Sequence, residues 1–217
     1  MVLKFYSGPV VGGGAAIVAL ALAEKQVPFE HVIVDMAANK HKTPEYMAMQ
    51  PFGLVPVIDD DGFILYESRA ICRYIADKYP NQGTDFLPKS LKERALVEQA
   101  ASIEYSTFYP AIYPVMKELF GKPRQGLPVD QATLDEALKE FSAKLDVYEV
   151  ILGKHRFLAG DEFSLADLCH YYNAPLLAEH GIDVMTSKGP NVTRWWNELM
   201  SRPTWVKLKA DGFKSKQ

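Results

Sequence analysis

Short β-like and helical segments alternate through the first 80 residues, and no β-like run follows, which constrains the fold more than any other feature. Runs typical of strands lie at 2–6, 29–34, 55–58 and 63–66. The last two runs are joined by Asp59-Asp60-Asp61-Gly62, whose Asp-Gly pair is typical of an antiparallel hairpin. The predicted order is βαβαββα, a small sheet with helices packed on its faces.

The rest of the chain is predicted to be all helical. With 217 residues and 48% apolar content the chain can form two cores. Residues 82–90 are rich in polar residues, Gly and Pro, which is typical of a linker. We therefore expect an α/β domain at 1–81, a linker at 82–90 and an all-helical domain at 91–217. Within the latter, Ser164 and Asp167 have capping-box spacing and predict a helix start.

Charge and cysteine usage narrow the function classes. The 24 basic and 27 acidic residues leave a net charge of −3, so we expect no nucleic-acid partner. The longest apolar stretch, 15–23, is shorter than the roughly 20 residues that span a bilayer, so we expect no membrane association. Cys72 and Cys169 fall in apolar helical patterns, which favours buried thiols and a cytoplasmic location. We expect no metal.

Several motifs carry a resemblance to a known family. They are His41-Lys42, the run 50–56 (QPFGLVP), the run 67–71 (ESRAI), the run 81–84 (NQGT) and the two runs 145–149 and 157–168. With the βαβαββα order, the chain resembles the glutathione transferase superfamily and, within it, the phi class known in plants and fungi. The resemblance covers nearly the whole chain and implies a thioredoxin-like first domain followed by the helical one.

The resemblance also implies a glutathione site made by His41, Lys42, Val55, Pro56, Glu67 and Ser68. The first pair would hold the glycine carboxylate through charge-assisted hydrogen bonds. In the family the Val-Pro bond is cis, and the residue before it pairs with the cysteinyl part of glutathione. Glu67 and Ser68 would bind the γ-glutamyl group at a helix start. An acid and a hydroxyl there also cap a helix, and both roles can hold together.

The group that activates the thiol stays open. Phi-like enzymes use a serine at the start of the first helix, and that position here is Gly12 counted backward or Val11 counted forward. Neither has a hydroxyl. Three substitutes are available: the backbone amides of Gly12 and Gly13, the phenol of Tyr6 and the hydroxyl of Ser7. For the two side chains, the ordinary roles of a packed strand aromatic and a turn hydroxyl are favoured.

The implied activity is conjugation of glutathione, the co-substrate, to hydrophobic electrophiles or reduction of organic hydroperoxides. The alternative is a ligandin, a carrier of apolar compounds with little chemistry. A hydrophobic pocket is expected from an aromatic and methionine set that could otherwise be core: Val10, Val11, Met36, Tyr105, Phe108, Tyr109, Tyr113, Met116 and Phe120. A homodimer is expected, because the family's enzymes are dimeric.

Overall fold

The computed structural model describes residues 2–9 and 12–211. Within them the chain forms two compact units: residues 2–87 together with 202–211, and residues 88–201. Val10 and Val11, two of the predicted pocket residues, lie outside the described residues.

The first unit is built on a four-stranded sheet in the order β2-β1-β3-β4. The strands are β1 (Leu3–Ser7), β2 (Phe29–Ile33), β3 (Val57–Asp60) and β4 (Phe63–Tyr66). β1 and β2 are parallel, whereas β3 runs antiparallel to β1 and β4. The hairpin between β3 and β4 has positive φ at both Asp61 and Gly62, which matches the Asp-Gly signal in the sequence.

Helices cover the sheet in the same unit. They are α1 (Gly14–Glu24), α2 (Pro44–Met49), α3 (Ser68–Lys78) and α12 (Pro203–Ala210), with a 3₁₀ turn at Lys40–Lys42. α1 is apolar on all faces because it contacts both α3 and α12, and every residue of it except Ala23 is buried. The predicted βαβαββα order and the thioredoxin-like class of this domain are confirmed.

The regular secondary structure of the second unit is helical in its described residues, apart from an isolated β-bridge between Phe157 and Gly160. Its helices are α4 (Leu91–Ile103), α5 (Tyr109–Met116), α6 (Lys122–Arg124), α7 (Gln131–Leu152), α8 (Leu165–Cys169), α9 (Pro175–Glu179), α10 (Val184–Ser187) and α11 (Pro190–Met200). Two π-helical turns, Glu104–Phe108 and Lys117–Gly121, flank α5. Such turns often mark functional segments.

Two boundaries differ from those expected from the sequence. β3 begins at Val57, two residues later than the predicted run, because Pro56 has no N–H to give to a ladder. Residues 202–211 belong with the first unit, whereas the predicted division placed them in the helical domain. Arg202 donates from Nε and Nη2 to the buried Glu24 carboxylate at 3.0 and 2.9 Å, which ties this segment to α1.

In the part of the chain that the structure describes, no helix is both long and apolar enough to cross a membrane.

Candidate glutathione site

Three predicted segments meet at the first turn of α1. A Cβ added at Gly14 would lie 3.0 Å from Ser68 Oγ and 3.2 Å from Pro56 Cδ. The start of α1, the Val55-Pro56 bond and the start of α3 are therefore in direct contact, although 42 and 54 residues of chain separate Gly14 from the other two. Glycine at position 14 permits this close approach.

The segment before β3 is held in place by a cis peptide bond and two hydrogen bonds. The Val55-Pro56 peptide bond is cis. Tyr46 Oη donates to the Leu54 carbonyl at 2.8 Å, and Leu54 N–H donates to Gln50 Oε1 at 3.2 Å. Val55 lies between this anchored residue and the strand, outside the β-ladder. Its peptide groups can pair with an extended peptide, as an added strand does.

The start of α3 is open. Glu67 is the N-cap residue, with φ 70°, and its exposed carboxylate makes no capping hydrogen bond to the helix. Ser68, the first helical residue, is 7% exposed and lies against Gly14. The first amides of a helix carry no intrahelical partner and attract anions. This arrangement can take a carboxylate on the helix and an ammonium on Glu67.

The 3₁₀ turn brings His41 and Lys42 next to the same loop. Gly53 has φ 59°, and a Cβ there would lie 2.6 Å from the His41 carbonyl oxygen, so only glycine fits this approach. Lys42 Nζ donates to the Phe52 carbonyl at 2.9 Å. His41 Nδ1 is buried without a hydrogen-bond partner among the described residues. Buried ring nitrogens are normally paired, so this atom fits a ligand contact.

The three glycines before and in α1 differ in their environments. Gly13 is the N-cap, at φ 55° and ψ −133°, a conformation that glycine adopts far more readily than other residues. A Cβ at Gly12 would meet none of the described residues beyond its chain neighbours within 4 Å. Position 12 could therefore carry a side chain, whereas position 13 could not without strain.

The two side-chain candidates for thiol activation already make contacts within the first unit. Tyr6 is half-buried and packs against Val34, Tyr46 and Val57. Burial, with the nearby Tyr6 phenol as a smaller cause, raises the pKa of Tyr46 to about 12. Ser7 is fully buried, and its Oγ lies 2.7 Å from His31 Nε2 and 3.1 Å from the Gly8 carbonyl oxygen.

The predicted pocket residues fall into separate groups. Tyr105 and Tyr113 are 61% and 52% exposed, and Tyr109 packs against Tyr113. Tyr172 joins this aromatic set, with its ring centroid 5.1 Å from that of Tyr109. The sequence analysis missed Tyr172, because it is distant along the chain and no motif marks it.

The other candidates lie in different surroundings. Phe108 and Met116 are 2% and 7% exposed, so both belong to the helical core, the alternative given above. Met36 packs on the apolar cluster around Tyr46 in the first unit. Phe120 is partly buried against the His180 ring, at 4.5 Å between centroids.

Neither cysteine is placed for chemistry. Cys72 and Cys169 are both buried, and neither forms a disulfide within the described residues. Burial raises the pKa of Cys72 to about 12, so its thiol stays protonated at neutral pH. No group of three or more His, Cys, Asp or Glu side chains in the described ranges could hold a metal ion.

Comparison with known proteins defines the family. The model of the glutathione S-transferase N-terminal domain matches residues 15–78, and that of the C-terminal domain matches 108–203. The chain is 41% identical to glutathione S-transferase F11 of Arabidopsis thaliana over 96% of this chain and 97% of that protein. The chain belongs to the glutathione S-transferase family, and its plant relatives are of the phi class.

Solved structures agree over the full length. Glutathione transferase F7 from Populus trichocarpa has a TM-score of 0.90 and 37% identity, covering 98% of this chain and 100% of that one. Maize glutathione S-transferase I, solved with an atrazine glutathione conjugate, has a TM-score of 0.87 and 34% identity, with 97% of both chains covered.

Proposed function

We propose that this protein conjugates glutathione to hydrophobic electrophiles, and that the same thiolate reduces organic hydroperoxides. The observation that carries the proposal is the contact of Gly14 with Pro56 and Ser68, which brings the start of α1, the cis Val55-Pro56 bond and the start of α3 together. The maize relative with a bound conjugate supports this reaction class. Because the relatives are transferases by name, catalysis is favoured over a carrier role.

Three pairs of residues form the proposed glutathione site. Glu67 binds the ammonium of the γ-glutamyl group and the α3 amides with Ser68 bind its carboxylate, since that helix start is open. Val55 pairs with the cysteinyl backbone. His41 and Lys42 bind the glycine carboxylate, with Lys42 exchanging its present bond to the Phe52 carbonyl for the ligand.

Thiol activation is assigned to the backbone amides of Gly12 and Gly13. A free thiol with a pKa near 8.5 is only a few per cent ionised at neutral pH. A helix start contributes typically 0.3–1 kcal/mol and up to about 2 kcal/mol to an anion, or at most about 1.5 pKa units. The two alternative activators are disfavoured, because Tyr6 packs in an apolar cluster and the Ser7 hydroxyl is already hydrogen-bonded.

A serine placed in the loop tests this assignment. Gly12→Ser should fold normally, because its Cβ meets none of the described residues beyond its chain neighbours. It should raise the rate with a chloronitroaromatic electrophile by supplying the missing hydroxyl. Gly13→Ser is the matched control, because its positive φ resists a side chain. An unchanged or lower rate in Gly12→Ser would contradict the assignment.

Binding of the hydrophobic electrophile is assigned to a set of tyrosines in the helical unit, of which Tyr105 and Tyr113 are exposed and Tyr109 and Tyr172 are half-buried. Tyr105, Tyr109, Tyr113 and Tyr172 offer apolar ring faces, as pockets for hydrophobic ligands do. Tyr109→Ala should weaken binding of a hydrophobic dye by several-fold. Phe108→Leu, a core change, should leave dye binding unaltered.

We further propose a cytosolic homodimer. α4 exposes Leu91 and Leu96, at 85% and 52%, which a partner subunit would cover. Sedimentation at micromolar concentration should give about twice the chain mass of 24.3 kDa. A monomer would contradict the dimer. The cytosolic location is supported by two buried cysteines that form no disulfide within the described residues.

A further inference from the structure

A buried hydrogen-bonded pair lies where the chain leaves the sheet toward the glycines. Ser7 is the last residue of β1 and is fully buried. Its Oγ lies 2.7 Å from Nε2 of His31, which stands on the neighbouring strand β2. The same Oγ donates to the Gly8 carbonyl at 3.1 Å. The pair joins residues that are 24 positions apart, and neither belongs to the glutathione site proposed above.

The two contacts together assign the imidazole tautomer. A serine hydroxyl has one proton, so Ser7 cannot donate to both the Gly8 carbonyl and the imidazole. Both contacts are satisfied only when His31 Nε2 carries a proton and donates to Ser7. The chain of bonds then runs from imidazole to hydroxyl to carbonyl, each group oriented by the one before it.

The imidazole itself is held in place. Its ring stacks on Phe5, with centroids 5.5 Å apart and an interplanar angle of 26°, and Phe5 is fully buried. Burial lowers the pKa of His31 below its usual value, so the ring is neutral at pH 7. The Ser7 carbonyl is fixed as well, because it accepts from Val34 N–H at 2.8 Å.

We infer that His31 is a positioning residue for thiol activation: acting through Ser7, it fixes the end of β1, from which the chain leads to the Gly12 and Gly13 amides. Gly14, directly after these two glycines, lies against Ser68 and Pro56. Amides that stabilise an anion must be held in position before the anion forms. The inference rests on the proposed role of these two glycines.

The experiment measures the ionisation midpoint of bound glutathione by ultraviolet titration, with kcat and KM, in wild type, His31→Leu, Ser7→Ala and the double variant. Each single variant should raise the midpoint by roughly half a pH unit, or about threefold less thiolate at pH 7, while KM for glutathione stays within about twofold. Because both act through one bond chain, the double variant should match the single ones.

Two further variants separate positioning from stability. His31→Gln keeps an N–H donor and should restore the wild-type midpoint. Ile75→Val, a fully buried change in α3, should lower stability and leave the midpoint unmoved. If His31→Leu does not fold, the same test is made by comparing the midpoints of Ser7→Ala and His31→Gln. The first should be raised and the second should equal that of the wild type.

The outcomes distinguish this inference from the proposed function beneath it. A lowered wild-type midpoint that persists in His31→Leu and Ser7→Ala would overturn the role of His31 alone. A wild-type midpoint at the free-glutathione value would overturn both, since no activation would exist to be positioned. Additive effects in the double variant would also count against the relay.

Discussion

Two helix starts in this protein carry the same residue types and are used in opposite ways. At α8, Ser164 and Asp167 close on each other in a capping box, and both are buried. At α3, Ser68 is buried, whereas Glu67 is exposed and its side chain makes no capping hydrogen bond to the helix. The start of α8 is capped by its own side chains, whereas the start of α3 is left open to a ligand.

The surroundings explain the difference. Asp167 accepts hydrogen bonds from Leu158 N–H at 3.1 Å, Ser164 N–H at 2.9 Å and Trp195 Nε1–H at 2.9 Å, so its carboxylate is fully used. Burial raises the pKa of Asp167, against the lowering effect of these donors. An acid and a hydroxyl near a helix start are therefore structural when enclosed, and free for binding when the acid is exposed.

The largest loss of stability should come from removing the capping carboxylate at the start of α8. Asp167→Ala leaves several buried donors without an acceptor, each costing about 1–3 kcal/mol, so we expect a loss on the order of 4 kcal/mol in the free energy of unfolding. Denaturant titration measures it, with the exposed Glu140→Ala as a control that should change little. A loss below about 1 kcal/mol would show that the network is not structural.

A smaller loss of stability should follow when a methyl group is added next to the start of α3. Gly14→Ala places a methyl group 3.0 Å from Ser68 Oγ, so we expect about 1–3 kcal/mol of destabilisation and weaker glutathione binding. Gly12→Ala should leave both unchanged, because its Cβ contacts none of the described residues beyond its chain neighbours. Equal behaviour of the two variants, measured by denaturation and calorimetry, would refute the close contact.

Removing the ligand contacts should cost affinity rather than stability. Glu67→Ala and Ser68→Ala should each weaken glutathione binding by about tenfold, or 1.4 kcal/mol, through a lost charge-assisted contact. Ser164→Ala is the matched change at the closed helix and should cost about 1 kcal/mol of stability with affinity intact. Calorimetry that found wild-type affinity in both α3 variants would remove the site.

The smallest effect concerns pH. Burial lowers the pKa of His31 in the folded protein, so between that value and the unfolded value of about 6.5 the unfolded chain binds more protons. Stability should therefore rise with pH through this window and level off above it. His31→Gln should flatten that part of the curve, as denaturation at successive pH values would show. A stability that falls as the pH rises through this window would contradict the lowered pKa of His31.

Local chemistry made much of the fold predictable. The Asp61-Gly62 turn and the Ser164–Asp167 box are encoded within four residues, and the structure has both. The open state of Glu67 could not be predicted, because an acid before a serine also fits a cap. Its role depends on exposure, which is a property of the folded unit.

Contacts between distant residues were beyond the sequence. The Arg202–Glu24 pair joins residues 178 positions apart and sets the boundary of the first unit. Tyr172 joins the tyrosine set, and His31 joins Ser7, only through folding. Each of these residues is ordinary in its local run, so no periodicity or motif marks it.

The most direct test of the account is the ionisation of glutathione bound to the wild-type protein, followed by ultraviolet titration of the thiolate. If the glycine amides at the start of α1 hold the thiolate, the midpoint should lie below the free value of about 8.5 by no more than about 1.5 units, and it should be unchanged in Tyr6→Phe. A midpoint at the free value, or a lowered one that is lost in Tyr6→Phe, would contradict it.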